Sequence, residues 1–156
     1  MALKIEVVVG EDGGRHAAGI LQLWAAHGAL DGEAARRRLG EVVCVLQDDG
    51  VVHGVNSAVA TDVALVGGRR LWFYRRFLPQ DVAVEWDAPM LVAAFEALEK
   101  RSERDAGPIG LCTAVDRMTE RAHPAAVWPA SQLVFAGRMS DGRSLRVRYF
   151  ERARIA

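Results

Sequence analysis

Apolar positions along this chain recur at two spacings, and the changes between them mark out its elements. KIEVVVG opens as a strand ended by Gly10. Ile20, Leu23, Trp24 and His27 then fall at helical spacing, which predicts a helix from about Arg15 to His27. GALDG breaks it. Asp31 is placed to cap a second, short helix, with Glu33 in its first turn, Arg36, Arg37 and Arg38 near its C-terminus and Gly40 just past its end. EVVCVL predicts a buried strand, DDG a hairpin turn and VVHGVNSAVATDVAL the returning strand. VGGRR turns the chain again, and the aromatics of RRLWFYRRFL predict another strand. A long helix is predicted from Pro89 to Arg104, with Leu91, Ala94, Phe95 and Leu98 on one face and a stop at Gly107 and Pro108. IGLCTAV is a further buried strand, and DRMTERAHPAAVW reads as a helix ended near Pro124 and Pro129. QLVFAGRM and SLRVRYFE flank the hairpin signal SDGR.

The order is β-α-α-β-β-β-α-β-α-β-β, with no internal repeat or linker. It predicts a single domain over residues 1–156 of α/β class (α+β type), built on a mostly antiparallel sheet flanked by helices. Lys+Arg and Asp+Glu both number 20, so the net charge is zero. That speaks against nucleic acid as a general partner, since such binders show a basic excess. It also leaves little self-repulsion to oppose a homodimer. No apolar run has the length of a membrane span and MALKIEVVVG is not a signal peptide, so the expectation is a cytoplasmic protein acting on a small molecule, with no membrane partner. Many Ala and Arg beside only two Lys suggest a bacterial-like, GC-rich coding genome. Cys44 and Cys112 sit in strand-like runs without C-x-x-C spacing, and His53, His123, Asn56 and Ser57 are scattered. No metal site and no Ser-His-Asp arrangement is expected.

The junction YRRFLPQDVAVEWDAPML, residues 74–91, carries the functional question. A strand-loop-helix layout is a common phosphate site, because glycines and a helix N-terminus present backbone N–H groups. Here the loop has no glycine and holds Asp81, Glu85 and Asp87. The element order and this junction resemble the GCN5-related N-acetyltransferase superfamily over nearly the whole chain. Members carry a pyrophosphate loop, Arg/Gln-x-x-Gly-x-Gly/Ala, between the fourth strand and a long helix. Pro79 stands at the family's proline, and Met90 and Leu91 at its paired leucines; the basic position falls on Val82 and the small positions on Ala83, Glu85 and Asp87. The resemblance implies a sheet of about seven strands with a splayed fourth and fifth pair. Acyl-CoA or another acyl thioester would enter that gap, between the strand ending at Leu78 and the strand 109–115. Phe77, Leu78, Val82 and Ala83 would then be the donor-binding residues. The motif itself is degenerate: Glu85 and Asp87 would place negative charge at the pyrophosphate, with Asp87 capping the helix and Pro89 removing a donor, which predicts weak CoA binding.

The remaining candidates each have two readings. Arg75 and Arg76 point to opposite faces of their strand, as an anion clamp or as ion-pair partners of Glu85 or Asp87. Trp72 and Tyr74 share the Arg76 face, as core or as a cleft wall with Tyr74 donating a proton. Asp116 is a candidate base that also makes a good N-cap. Cys112 is a candidate nucleophile that also suits inert packing. Trp128 falls near the family's tyrosine acid and cannot donate an acidic proton, which leaves it a place on a substrate wall. The implied function is an acyltransferase from thioester to amine. Two others stay open: a non-catalytic ligand- or partner-binding module, and a lyase or cyclase acting on a carboxylated small molecule held by Arg75 or Arg76.

Overall fold

A computed structural model describes residues 2–30, 32–102 and 107–155. The strands are β1 (Lys4–Val7), β2 (Val42–Asp48), β3 (Val51–Val63), β4 (Arg69–Phe77), β5 (Gly110–Val115), β6 (Val127–Trp128), β7 (Leu133–Arg138) and β8 (Ser144–Tyr149). The helices are α1 (Ala17–Ala26), α2 (Gly32–Leu39), α3 (Gln80–Ser102) and α4 (Arg117–Ala122). The strands form one mixed, mostly antiparallel sheet in the order β1-β2-β3-β4-β5-β8-β7-β6. The β4–β5 pair is parallel, registered at Trp72↔Leu111 and Phe73↔Cys112. The sheet has eight strands where about seven were expected. The addition is β6, two residues long, which the two prolines around it masked as a helix end.

The chain divides into two compact units, Met1–Ala58 with Arg75–Leu98 and Val59–Tyr74 with Glu99–Ala156. In the first, the β2–β3 hairpin turns through Asp49 and Gly50, both at positive φ (48° and 84°), as the DDG signal requires. Ile20 and Trp24 of α1 and Ala35 of α2 pack on Val42, Val45, Val52 and Val55, and Phe77 joins this cluster from β4. The expected cap of α2, Asp31, lies outside the described residues. On the facing side of α3, Met90, Leu91, Ala94, Phe95 and Leu98 are buried. A bulge at Val43 shifts the β2–β3 register. It takes the Cys44 N–H out of the ladder, and the buried Asn56 side chain meets it: the Cys44 N–H donates to Asn56 Oδ1 (2.8 Å), and Asn56 Nδ2 donates to the Met90 carbonyl (3.0 Å).

The long helix begins at Gln80, nine residues before the expected Pro89, so the carboxylate-rich stretch is helix rather than loop. Its expected end, Arg104, is outside the described residues. Pro89 sits inside the helix and removes the N–H that would bond to the Glu85 carbonyl. Both residues are exposed, so water can serve that carbonyl. Asp87 accordingly does not cap α3; it lies in the helix.

In the second unit, Leu71, Cys112, Leu145 and Val147 form the core, joined by Phe73, Tyr149 and Met139. Alternation along β4 sends Trp72 the other way, where its Nε1 donates to Ser102 Oγ of α3 (3.0 Å). The SDGR turn joins β7 to β8 as expected, with Gly142 at φ 91°.

Candidate functional site

The end of β4 and the start of α3 are joined by Leu78 and Pro79 alone. No glycine loop fits in two residues. The Pro79 carbonyl accepts from the N–H groups of Val82 and Ala83, both at 3.0 Å. These amides were expected to hold a donor; they are instead bonded inside the first turn of the helix, and the Val82 side chain is buried. The carboxylate in that turn is Asp81. Asp87, one turn further on, is paired with Arg76: Nε to Oδ1 at 2.5 Å and Nη2 to Oδ2 at 3.1 Å. The pair neutralises one of the two charges expected to repel a pyrophosphate, and it ties the Arg76 face of β4 to α3.

Arg75 and Phe77 therefore occupy the face of β4 that looks toward α1 and α2. Phe77, like Leu21, Leu23, Leu30 and Leu39, packs against the buried cluster of Ile20, Trp24 and Val55, and its ring lies 5.3 Å, centroid to centroid, from that of His27. His27 sits just past α1, with Nδ1 3.1 Å from the Leu23 carbonyl. A carbonyl only accepts, so Nδ1 carries the proton and Nε2 is the basic nitrogen of the neutral ring. On α2, Arg36 and Arg37 point to solvent, whereas Arg38 lies on the inward side with Ala35 and Leu39. Arg38 reaches Glu41 at 3.3 Å. Its pKa is held below the usual arginine range, first by desolvation and then by the charge of Arg75. The sequence singled out Arg75 but neither Arg38 nor His27; the signal was the inward phase of Arg38 relative to Ala35 and Leu39.

The other candidates lie elsewhere. Tyr74 is buried, and its carbonyl accepts from Thr113 Oγ1 at 3.1 Å. Leu78 is buried too, its side chain lying over Gly54. The Cys112 thiol is fully buried and burial pushes its pKa up to about 12, which makes it inert packing and not a nucleophile. Asp116 is the N-cap of α4: it accepts from the Thr119 N–H at 2.8 Å and from the Thr119 hydroxyl at 2.9 Å. Those bonds, the backbone one foremost, hold its carboxyl below the usual range and leave a poor base. Trp128 donates from Nε1 to the His123 carbonyl (2.8 Å), and the Arg146 guanidinium covers its ring at 4.1 Å. Among the described residues, no group of three or more His, Cys, Asp or Glu could hold a metal ion, and no helix is long and apolar enough to cross a membrane.

No family model matches the chain, and no curated protein matches it in sequence. Solved structures do. An acetyltransferase of the GCN5-related family from Streptococcus pneumoniae is 12% identical, with a TM-score of 0.60 over 96% of this chain and 99% of that one. The Arabidopsis thaliana NAA60 protein in complex with acetyl-CoA is 11% identical, with a TM-score of 0.56 over 96% and 99%. FeeM, an N-acyl amino acid synthase from uncultured soil microbes, is 14% identical, with a TM-score of 0.53 over 95% and 90%. At these identities the likeness establishes the fold, which is that of the GCN5-related N-acetyltransferase superfamily.

Proposed function

We propose that this protein transfers an acyl group from a thioester to an amine, and that it recognises the donor by its acyl-pantetheine end rather than by a nucleotide pyrophosphate. The observation that carries this reading is the end of β4. The strand runs four residues past its last registered pair with β5, Phe73↔Cys112, and passes through Phe77 and Leu78 into α3. A thioester lying along that stretch of main chain finds a backbone N–H at Phe77 or Leu78 for the developing oxyanion. The amine nitrogen attacks the thioester carbon, the C–N bond forms, and the C–S bond breaks to release the thiol. Amine attack on a thioester needs orientation and oxyanion stabilisation more than a strong base. The ammonium proton must still leave first, and His27 Nε2, on the ring that touches Phe77, is the group placed to take it. The solved structures with this fold include an acetyl-CoA complex and an N-acyl amino acid synthase, which supports thioester donors and amine acceptors for it.

The donor preference follows from the two-residue connection and from Asp81. Without a glycine loop, and with the Val82 and Ala83 amides bonded to Pro79, a pyrophosphate finds no cradle of N–H groups. Calorimetry comparing acetyl-CoA with S-acetyl-pantetheine is the test. The two dissociation constants should agree within about tenfold, a difference of about 1.4 kcal/mol. A preference for acetyl-CoA of a hundredfold or more would show that the nucleotide portion is recognised after all.

A further inference from the structure

We infer that Arg38 and Arg75 form an anion-binding site for the acceptor, so that the amine acylated by this protein carries its own carboxylate, as an amino acid does. The inference rests on the acyl-transfer reading and adds the substrate class. Three observations point to it. First, of the three consecutive arginines of α2, Arg38 alone turns inward beside Ala35 and Leu39, with about a quarter of its side chain exposed (23%). A helix with two solvated neighbours of the same charge does not need a third cation on its apolar side. Second, Arg75 lies on the β4 face that packs on α1 and α2, two residues from Phe77, which shares a cluster with Leu39. Two cations thereby stand on adjoining elements, and Arg38 feels the charge of Arg75. Third, Phe77, whose ring pairs with that of His27, packs against the same cluster as Leu30 and as Leu39, the chain neighbour of Arg38, and offers an apolar wall.

Guanidinium groups bind carboxylates through charge-assisted, often paired bonds, which lysines cannot reproduce. Glu41 is the anion that Arg38 reaches, through a contact of 3.3 Å between neighbours on one turn. Such a partly exposed pair is weak enough to yield to an incoming carboxylate. An acceptor held this way keeps its carboxylate on the arginines and its apolar part on Phe77. Its amine then lies near His27.

The experiment is calorimetry with N-acetyl-phenylalanine and with its neutral amide, using the intact chain. The acid mimics a product of the proposed reaction and keeps the carboxylate; the amide differs only in that charge. Wild-type protein should bind the acid at least about tenfold more tightly. Arg38→Met and Arg75→Met should each weaken the acid roughly ten- to a hundredfold and leave the amide unchanged. Arg75 is exposed, so Arg75→Met keeps the test usable if Arg38→Met does not fold. Equal binding of acid and amide, no binding of either, or acid binding that survives both substitutions would overturn the anion site. Thiol release from acetyl-pantetheine is measured in parallel. If amine-dependent release persists while carboxylate selectivity is absent, the substrate class is wrong and the reaction stands. If the acid binds through the arginines but no thioester is consumed, the reaction is wrong and the arginine pair stands as an anion site.

Discussion

Arg146→Met is expected to destabilise the protein by about 3–5 kcal/mol, a fall of roughly 6–20 °C in Tm for a chain of this size. Arg146 lies on β8 with none of its side chain exposed. Its guanidinium meets Glu120 of α4 through Nε (3.0 Å) and Nη2 (2.6 Å). It also donates to the Ala125 carbonyl at 2.7 Å and to the Ala126 and Leu133 carbonyls at 3.4 Å each, and it covers the Trp128 ring. One side chain thus fastens α4, the irregular stretch after it, and β6 to β8. Removing it leaves the Glu120 carboxylate, only 13% exposed, without its cation, and takes one donor from each of three carbonyls, of which Ala126 keeps the Phe135 N–H (3.0 Å). Replacing both partners, by Arg146→Met with Glu120→Leu, should recover part of the loss, because the buried charge goes with them. Thermal unfolding followed by circular dichroism checks this. A Tm within about 2 °C of wild type for Arg146→Met would mean the network contributes little.

Gly110→Ala is expected to cost about 3 kcal/mol or more, at the upper end for overpacking. Gly110 is paired with Tyr149 in the β5–β8 ladder. A Cβ there would stand 2.5 Å from the Arg148 carbonyl oxygen and 2.9 Å from the Tyr149 Cα. Both obstacles are backbone, so no rotamer change relieves them; β5 and β8 would have to part. At Gly54 the nearest obstacle is instead the end of the Leu78 side chain, at 2.3 Å, which can turn aside. Chemical denaturation of Gly110→Ala and Gly54→Ala side by side should show the first as the larger loss. The reverse order would contradict the backbone argument.

The hairpin at Asp49–Gly50, the β7–β8 turn and the buried stripe Leu91, Phe95 and Leu98 were legible because each has a local cause: positive φ, or a 3.6-residue period. The start of α3 was not. Pro89 reads as a first helical residue and three carboxylates read as loop, and local chemistry alone favours that reading. The opposing signal is weaker but present. Spacing of four residues runs backward from Leu98 through Ala94 and Met90 to Trp86 and Val82, and tertiary burial of that stripe overrides the proline. The Asp87 charge, read as an obstacle to a pyrophosphate, is matched by Arg76, a pairing that depends on the helix phase and so could not be fixed from the loop reading.

Of the site, Arg75 and Phe77 were legible as strand positions, though not the face each would take. Arg38 was hidden in a run of three arginines that the helix dipole explains equally well. His27 was visible only as one apolar-phase position of α1. Its closeness to Phe77 is a long-range contact that spacing does not reveal. Arg146 had no motif at all; an arginine alternating with apolar residues in SLRVRY was the one hint.

The central claim is transfer of an acyl group from a thioester to an amine. The most direct measurement is the rate of thiol release from S-acetyl-pantetheine, followed with a thiol-reactive dye, with and without phenylalanine, and with the acylated amine identified by its mass. Release that requires the amine, saturates with it and yields the N-acetyl product in equal amount is the predicted result. Folded protein that releases no thiol beyond the background rate, from either acetyl-pantetheine or acetyl-CoA and with any of a panel of amines, would contradict the claim.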